Sequence, residues 1–486
     1  MSTVARAVPG EREWESVLAG RIASPWPTAL AVLAADALAL SVAGASAVRL
    51  WALMNPAVAV DPYLRLWPVI VAFLAAYAML GLYPGVGIGP VEELRRLSAG
   101  TSIVYLVGSA SIVLIRETGF SRGVLLGGWA LSLTLVPLFR AALRYRFAAR
   151  GWWGVPVLVL GAGEAGRAVV SRLKMQPGVG LKPAAFLDDD TDKEAEYDGV
   201  PVAGPLALAS DLGRRLHIRY ALVAMPSLKR DELLEVLERN GAAFSHLIVL
   251  PDLFGMASLW VSARDLGGVL GLEVRQNLLS PMNRALKRAL DLLLAGAAAA
   301  LALPFIAAAV IWIKRASPGS AFFVQERGGE AGRAIRVNKL RTMYPQADGL
   351  LSQHLEQDPD ARRQWERCCK LKNDPRLLPG IGGLLRRSSF DELPQLWNVI
   401  KGEMSLVGPR PFPAYHLDRF TPEFQALRAR VLPGLTGLWQ VSARSDGDLT
   451  VQEALDTYYI RNWSLWLDLY ILARTVRAVL FRQGAY

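Results

Sequence analysis

Hydrophobic residues are concentrated in four long windows in the first third of the chain, near residues 27–48, 66–84, 99–115 and 124–139. Each window is almost free of charge, and a helix needs about 20 apolar residues to span the hydrocarbon core of a bilayer. The first window follows a polar stretch and precedes further spans, which is not the pattern of a cleaved signal peptide. The pattern predicts an N-terminal domain of four transmembrane helices, residues 1–150.

Arginine residues at the ends of these windows predict the orientation of the bundle. With the N-terminus in the cytoplasm, nine arginines lie at inner ends and four at outer ends, and positive charge favours the cytoplasmic side. The inner set is Arg6, Arg12, Arg21, Arg95, Arg96, Arg140, Arg144, Arg146 and Arg150, and the outer set is Arg49, Arg65, Arg116 and Arg122. Four crossings would then leave the rest of the chain on the cytoplasmic side.

The pattern changes after the last window to the short apolar runs of a Rossmann-like α/β domain, which we place at residues 151–283. A buried strand is followed by Gly161, Gly163 and Gly166 at the start of a helix, and Asp188 ends the next strand. This is the spacing of the dinucleotide-binding fingerprint, in which glycines let the backbone approach a pyrophosphate and the acid binds a ribose hydroxyl.

The fingerprint leaves two interpretations of this domain open. It binds a nucleotide or nucleotide sugar, or its glycines only shape a tight turn in a regulatory or dimerisation domain. We find no Tyr-x-x-x-Lys pair, the usual proton-transfer unit of sugar-nucleotide reductases and dehydratases on this fold. Redox chemistry is therefore not expected in this domain.

A fifth apolar run, residues 289–313, has basic residues at both ends and Pro304 inside it. Neither end is a preferred outer end, because both carry positive charge. Proline removes a helical hydrogen bond and clashes with the preceding turn. We predict a re-entrant helix, about 287–313, that breaks at Leu303-Pro304 and returns to the side from which it came. A proline-kinked spanning helix is the alternative.

Composition agrees with a membrane protein. The chain is 52% hydrophobic and only 20% charged, with a net charge of +11, which argues against an ordinary soluble enzyme and against disorder. A basic, apolar chain suits a protein that faces anionic lipid or phosphate, so no nucleic acid is expected as a partner. The two cysteines, Cys368 and Cys369, are adjacent, which excludes a disulfide framework and a cysteine-rich zinc site.

Two adjacent acids, Asp391 and Glu392, are the candidate catalytic residues. Pro394 places both in the first turn of a helix, whether that helix starts at Ser389 or at Asp391. One carboxylate can attack phosphorus, and the pair can hold Mg²⁺, which takes one or two carboxylates plus substrate phosphates. Taken alone, the pair would be read as a helix cap, and only its surroundings favour catalysis.

Cationic residues around these acids are the candidate phosphate-binding groups. They are Lys339, Arg341, Arg386 and Arg410. Arginine donates two parallel hydrogen bonds to phosphate, and lysine provides a compact charge.

Residues 284–486 resemble the bacterial sugar transferase family, the monotopic phosphoglycosyl transferases. The resemblance rests on the apolar run with its proline and on four further segments in order: 339–343 (KLRTM), 386–395 (RRSSFDELPQ), 401–411 (KGEMSLVGPRP) and 433–441 (PGLTGLWQV). The spans and the Rossmann-like domain resemble the large members of the family. Segments 252–255 and 267–275 resemble its undecaprenyl-phosphate galactose phosphotransferase branch. The predicted fold is therefore a membrane protein of α plus α/β class, with a mostly α monotopic catalytic domain, 284–486.

The resemblance implies a role for each matching residue. Asp391 would attack the β-phosphorus of a UDP-sugar, and Glu392 would help to bind Mg²⁺. Arg386 and Arg410 would bind phosphate groups, and Lys339 would lie near the polyprenol or nucleotide phosphate. At position 303, before the helix-breaking proline, this chain has leucine where family members often have serine.

The same resemblance implies a ping-pong transfer of hexose-1-phosphate to undecaprenyl phosphate through a covalent aspartyl phosphosugar, with release of UMP. Galactose is favoured over glucose by the branch alone. This would be the first membrane step of O-antigen, capsule or exopolysaccharide repeat-unit synthesis, at the bacterial inner membrane, and a homodimer is expected. Two alternatives are a membrane-bound sugar-nucleotide oxidoreductase or dehydratase and a non-enzymatic polysaccharide assembly protein.

Overall fold

The computed structural model describes residues 25–56, 58, 60–115, 119–190, 195–241, 243–250, 261–265, 270–274, 278, 280–358, 360, 362–363, 374–442 and 449–480. The chain forms two compact units, Met1–Gly255 and Met256–Tyr486, and each is described by itself. Some predictions fall outside the described residues. They concern Cys368, Cys369, segment 252–255 and residues 266–269 and 275–277. The division into three domains stays a prediction.

The first unit begins with a helical bundle. Its helices are α1 (Pro25–Met54), α2 (Asp61–Leu64), α3 (Val69–Met79), α4 (Pro90–Leu114) and α5 (Arg122–Phe147). Three of them, α1, α4 and α5, are long and apolar enough to cross a membrane by length and composition. The first, third and fourth apolar windows are thus helices of spanning length, including the two that were shortest in the sequence.

The second window differs from the prediction of one long helix, because α3 has only 11 residues. Pro68 has no N–H to continue an α-helical ladder. Around Pro68 the backbone forms hydrogen bonds between residues three apart in the chain. Examples are Leu66 N–H to the Tyr63 carbonyl (3.1 Å) and Val71 N–H to the Pro68 carbonyl (3.0 Å). Helix α3 is therefore an apolar helix shorter than a span, and a second crossing at this window stays a prediction.

A buried network of charges holds the bundle together. Arg140 of α5 donates to both carboxylate oxygens of Asp36 in α1, at 2.7 and 2.6 Å, and to Glu93 of α4 at 2.8 Å. Arg144 also pairs with Glu93, and the Tyr83 hydroxyl donates to Asp36 at 2.7 Å. Two acids and two arginines balance, which is the condition under which charges are tolerated inside a membrane bundle.

A four-stranded parallel sheet follows, in the order β2-β1-β5-β6. Its elements and their neighbours are β1 (Val155–Leu160), α6 (Glu164–Met175), β2 (Leu181–Leu187), β3 (Glu196–Tyr197), β4 (Val200–Pro201), α7 (Ala209–Arg215), β5 (Tyr220–Val223), α8 (Arg230–Gly241) and β6 (His246–Val249). Strand β1 is buried along its whole length, as expected for a sheet covered on both faces. The predicted parallel α/β domain is confirmed at this level.

The bundle and the sheet share one compact unit because residues of each pack on the other. Val86, in the loop before α4, belongs to the same buried cluster as β1 and β2. Thr28 of α1 donates to the Trp152 carbonyl at 3.2 Å and accepts from the Gly154 N–H at 2.9 Å. Trp153 is fully buried against α1 and α5.

The second unit is built on one long helix and small sheets. Its elements are β7 (Val261–Asp265), β8 (Leu270–Val274), α9 (Pro281–Ala316), β9 (Phe322–Gly328), β10 (Ala334–Leu340), α10 (Ala347–Gln357), α11 (Ile381–Ser388), α12 (Gln395–Lys401), β11 (Ser405–Val407), α13 (Ala414–Leu417), α14 (Pro422–Arg428), β12 (Gly434–Thr436), α15 (Leu438–Ser442), α16 (Leu449–Arg461) and α17 (Leu465–Leu480). Strands β9 and β10 form an antiparallel hairpin, and β11 pairs in parallel with β12.

Helix α9 corrects one prediction, because its 36 residues remain helical through Pro304. The predicted break in the helix at Leu303-Pro304 is wrong. A proline interrupts only the hydrogen bond to the carbonyl four residues before it, and in apolar surroundings the remaining backbone groups have no alternative partners. The ladder on either side is therefore retained.

Both ends of α9 nevertheless bind the same body of the second unit. Near its start, Lys287 donates to the Val407 carbonyl at 3.0 Å, and Asp291 accepts from Ser405 at 2.7 Å. Near its end, Ile313 is fully buried in a cluster with Ile381 and its neighbours. Between these contacts α9 exposes several large apolar side chains, for example Leu301, Leu303 and Phe305, while small residues such as Ala295 and Ala302 are buried.

Candidate active site

Asp391 and Glu392 lie in a turn between two short helices. Helix α11 ends at Ser389, whose φ of 59° reverses the chain, and Phe390–Glu392 then form one turn of 3-10 helix. Pro394 is the N-cap of α12. Both acids lie in the first turn of this 3-10 helix, which Ser389 N-caps, as predicted, and the α-helix α12 begins only after Pro394.

Asn398 fixes this turn against the hairpin β9–β10. Its fully buried side chain donates to the Arg336 carbonyl at 2.7 Å and accepts from Asn338 at 3.1 Å. A buried amide with its hydrogen bonds satisfied holds its neighbours in one geometry. Helix α12 is thereby fixed beside β10, which carries Lys339 next to the two acids.

Glu392 is bound by two of the predicted cations. Lys339 Nζ lies 2.7 Å from Glu392 Oε1, and Arg410 donates to the same oxygen at 3.3 Å. Burial alone would raise the pKa of this carboxyl, but Arg410 and Lys339 lower the pKa of Glu392 to about 2. Glu392 is therefore an anion at every physiological pH.

Asp391 is in a different state. Burial raises the pKa of its carboxyl to about 6, and the attraction of Lys339 only partly opposes this effect. The charge of Glu392 also raises the pKa of Asp391. Two adjacent carboxylates whose pKa values are pushed apart are typical of sites that give them separate tasks.

Close backbone contacts between glycines bring Arg410 to the acids. A Cβ built on Gly434 would lie 2.0 Å from the Gly408 nitrogen, and one built on Gly437 would lie 2.4 Å from the Gly408 oxygen. Only glycine permits such an approach. The loops after β11 and β12 therefore touch, and Arg428 fixes Arg410 further by donating to its carbonyl.

These elements enclose a cavity of about 760 Å³. Six cations and two acids line it, which leaves an excess of four positive charges. They are Arg327, Lys339, Arg341, Arg376, Arg386 and Arg410, with Asp391 and Glu392. A concave site of this size and sign fits a small ligand that carries several negative charges.

The structure brings together all of the site residues predicted in this half of the chain, but it gives Arg341 a different task. Arg341 is buried and donates to the carbonyls of Pro318 and Ser317, at 2.8 and 2.9 Å, where the chain leaves α9. Arg386 donates through Nε to Thr342 Oγ1 at 3.0 Å and lines the cavity. Arg341 thus stabilises the end of α9, and Arg386 remains a candidate ligand for phosphate.

Several wall residues were not predicted from the sequence. Gln325 and Arg327 share the cavity face of β9 with Phe323, because alternate residues of a strand point to the same side. The alternation was visible in the sequence and could have identified them. Arg376 could not have been found in this way, since its strand-like contact with residue 344 depends on the tertiary fold.

Asp391 and Glu392 can share a Mg²⁺ ion only if the substrate supplies further ligands to that ion. In the described part of the chain no cluster of three or more His, Cys, Asp or Glu residues could hold a metal ion. Among the same residues, both hydrogen bonds to Glu392 are accepted by Oε1. Glu392 Oε2 and the carboxylate of Asp391 therefore remain as oxygen ligands for a metal ion. This set matches the habit of Mg²⁺, which uses one or two carboxylates and takes further oxygens from phosphates and water.

The four residues of the dinucleotide fingerprint also come together, in the first unit. Gly161 has a φ of 104°, and a Cβ on Gly166 would lie 2.1 Å from the Gly161 oxygen, so both glycines are required by packing. A Cβ on Gly163 would meet nothing within 4 Å. Asp188 accepts from the Ala162 N–H at 2.7 Å, within the turn itself. A nucleotide at this turn stays a prediction.

Comparison with known proteins agrees with this geometry. Residues 282–482 match the family described as bacterial sugar transferase, and residues 78–251 match a family described as a CoA-binding domain. The chain is 33% identical to the undecaprenyl-phosphate galactose phosphotransferase of Salmonella typhimurium, over 79% of this chain and 81% of that protein.

Other relatives include the UDP-galactose-lipid carrier transferase of Erwinia amylovora, 33% identical over 79% of this chain and 81% of that protein. The UDP-glucose:undecaprenyl-phosphate glucose-1-phosphate transferase of Caulobacter vibrioides is 42% identical over 41% of this chain and 72% of that protein. The chain therefore belongs to the bacterial sugar transferase family.

Proposed function

We propose that this transferase moves a hexose-1-phosphate from a UDP-hexose to undecaprenyl phosphate and releases UMP. The observation that carries the proposal is a pair of adjacent carboxylates, Asp391 and Glu392, whose pKa values are shifted in opposite directions. They lie in a cavity with an excess of positive charge. Its relatives bear the names of undecaprenyl-phosphate sugar phosphotransferases for galactose or glucose. We favour galactose, because relatives that match 79% of the chain are named for it, whereas the relatives named for glucose match 68% of the chain or less.

Asp391 is the nucleophile in this proposal. Its ionised oxygen attacks the β-phosphorus of the UDP-hexose, and the bond to the bridging oxygen breaks, so that UMP leaves with the electron pair. The hexose-1-phosphoryl group is then held on Asp391. A phosphate oxygen of the lipid next attacks the same phosphorus and releases the Asp391 carboxylate, which completes a ping-pong cycle.

The other residues prepare this exchange. Lys339 and Arg410 keep Glu392 ionised. Arg327 and Arg386 supply charge for the phosphates, while Arg376 is paired with Asp374. Mg²⁺ bound by Asp391, Glu392 and the diphosphate would neutralise charge on the departing UMP.

The contacts of α9 support a cytoplasmic site that is open to lipid. Because both ends of this continuous helix bind one body, we propose that it lies in the surface of the inner membrane without crossing it. The exposed apolar residues around Pro304 would lie in the acyl region. A soluble sugar nucleotide and a lipid phosphate could then reach Asp391 from opposite directions.

The test uses purified full-length protein with Mg²⁺, undecaprenyl phosphate and labelled UDP-galactose or UDP-glucose in separate reactions. Labelled lipid and UMP in equal amounts support the proposal, and the preferred sugar identifies the hexose. An oxidised or dehydrated sugar would support a sugar-nucleotide oxidoreductase or dehydratase. Absence of any product with either sugar, from folded protein, would contradict both enzymatic assignments.

Two further parts of the proposal need separate measurements. The product would begin an O-antigen, capsule or exopolysaccharide repeat unit, and loss of the polysaccharide on deletion of the gene would support this. The expected homodimer is tested by the particle mass of the purified protein in detergent.

A further inference from the structure

The helical bundle of the first unit contains a cavity of its own, about 680 Å³ in volume. Its walls come from the second half of α1, the stretch from α2 to the start of α3, the second half of α4 and the first turns of α5. Thr28, which bonds to the α/β domain, lies near the opposite end of α1. The cavity therefore occupies the half of the bundle that is distant from the sheet.

Four hydroxyl groups of the cavity wall are already hydrogen-bonded inside the protein. Ser41 and Ser111 donate to carbonyls of their own helices, at 2.7 and 2.9 Å. The Tyr63 hydroxyl accepts from the Ser121 N–H at 2.7 Å, and Tyr105 bonds to Ser132 at 3.1 Å. A water molecule in a protein interior needs two to four polar partners. The wall offers few, so hydrocarbon fits this space better than water does.

Two glycines on the cavity wall leave open space where other residues would place side chains. Glycines in membrane bundles usually allow close helix contact, as Gly123 does here, where a Cβ would lie 2.2 Å from the Trp51 ring. Gly44 of α1 and Gly108 of α4 line the cavity, yet a Cβ on either would meet nothing within 4 Å. Their missing side chains leave space for another molecule.

Arg49 adds a charge to the cavity wall. It is exposed, near the end of α1, and it has no acidic partner among the residues that the structure describes. An apolar cavity with one cation beside it complements a molecule with a hydrocarbon chain and an anionic head.

We propose that this cavity binds one acyl chain of an anionic membrane phospholipid, whose phosphate lies at Arg49. The site belongs to the N-terminal bundle and is independent of the transferase reaction. Its ligand would be a resident lipid that fills the bundle.

The test is native mass spectrometry of the full-length protein in detergent, titrated with phosphatidylglycerol or with phosphatidylcholine of identical chains. The double variant Gly44→Leu/Gly108→Leu fills the cavity, and Gly296→Leu on α9 is the matched control, since its Cβ also meets nothing within 4 Å. We expect the double variant to bind one phosphatidylglycerol fewer, or to bind it at least about tenfold more weakly. Arg49→Gln should weaken phosphatidylglycerol and leave phosphatidylcholine unchanged.

Equal phosphatidylglycerol binding in the double variant and in Gly296→Leu would overturn the proposal. So would equal affinity of the unaltered protein for the two phospholipids. A third titration with undecaprenyl phosphate separates the two lipids: if only its binding is lost in the double variant, the cavity belongs to the isoprenoid lipid and the phospholipid assignment fails. If the double variant does not fold, Gly44→Ala/Gly108→Ala is compared in the same way.

Discussion

Two adjacent carboxylates with different protonation behaviour define the candidate site at the scale of single residues. Glu392 binds Lys339 and Arg410 and stays ionised, whereas burial dominates at Asp391. The two residues are neighbours in the chain, so their difference comes from the groups around them. A nucleophile with a pKa near the working pH is ionised in use and still reactive.

Replacing the nucleophile is the first prediction. Asp391→Asn should abolish nearly all transfer while the protein folds normally, because the amide keeps the shape of the side chain but cannot attack phosphorus. Transfer is measured as UMP release, and thermal unfolding serves as the check on folding. Asp418→Asn, an exposed acid in the same unit, is the matched control. Residual activity within about tenfold, or about 1.4 kcal/mol of barrier, would exclude Asp391 as nucleophile.

The pH dependence of transfer follows from the raised pKa of Asp391. Because only the ionised form attacks, the rate should fall as the pH drops through about 6 and should level off above it. Glu392 does not contribute to this limb, since its pKa lies near 2. Initial rates measured from about pH 5 to 8 at limiting UDP-hexose, where kcat/KM reports the groups of the free enzyme, check the expectation. A rate that is flat across this range, or one that rises on acidification, would contradict it.

At the scale of elements, a buried ion pair joins α9 to α17, and its lysine also binds the strand that leads to the site. Lys287 of α9 lies 2.7 Å from Asp468 of α17 and also binds the carbonyl of Val407 in β11. Tyr459 and Trp463 donate to the same aspartate at 2.8 and 2.9 Å. Strand β11 ends three residues before Arg410, so these contacts link α9 to the loop that carries Arg410.

Breaking this pair gives a prediction for stability. Lys287→Met leaves Asp468 buried without its cation, and loss of one partner of a buried pair costs about 3–5 kcal/mol. Thermal unfolding in detergent should show a lower midpoint. Adding Asp468→Asn should recover part of the loss, because the uncompensated charge is then removed. Equal unfolding of Lys287→Met and the unaltered protein would mean that the pair does not stabilise the unit.

At the scale of the whole molecule, the first unit depends on charges that meet from three helices. Arg140 alone contacts Asp36 of α1, Glu93 of α4 and the Leu82 carbonyl in the loop between α3 and α4. The same loop carries Val86 into the core of the α/β domain. The network therefore connects the packing of the bundle to the position of the sheet.

Removing that arginine tests the connection. Arg140→Met should lower the unfolding temperature of the protein and expose the loop before α4 to protease, because two buried acids lose a partner. Arg146→Met, an exposed arginine on the same helix, should leave both properties unchanged. If the two variants behave alike, the network contributes nothing to the unit.

The sequence was sufficient for features that depend on local pattern. Long apolar windows identified α1, α4 and α5, and the short apolar runs with the glycine turn after β1 identified the parallel α/β domain. Motifs in a fixed order identified the family and predicted Lys339, Asp391 and Arg410 as residues of one site. These features could be predicted because helical spans, strand–turn–helix units and motifs are properties of contiguous residues.

Only the tertiary structure decided how these residues act. It assigned Arg341 to the end of α9 and added Arg327 and Arg376 to the cavity. It also gave Asp391 and Glu392 opposite pKa shifts, and it kept α9 helical through Pro304. The physical reason is common to all of these: burial, charge contact and the supply of alternative hydrogen-bond partners depend on residues that are distant in the chain and meet only in the fold.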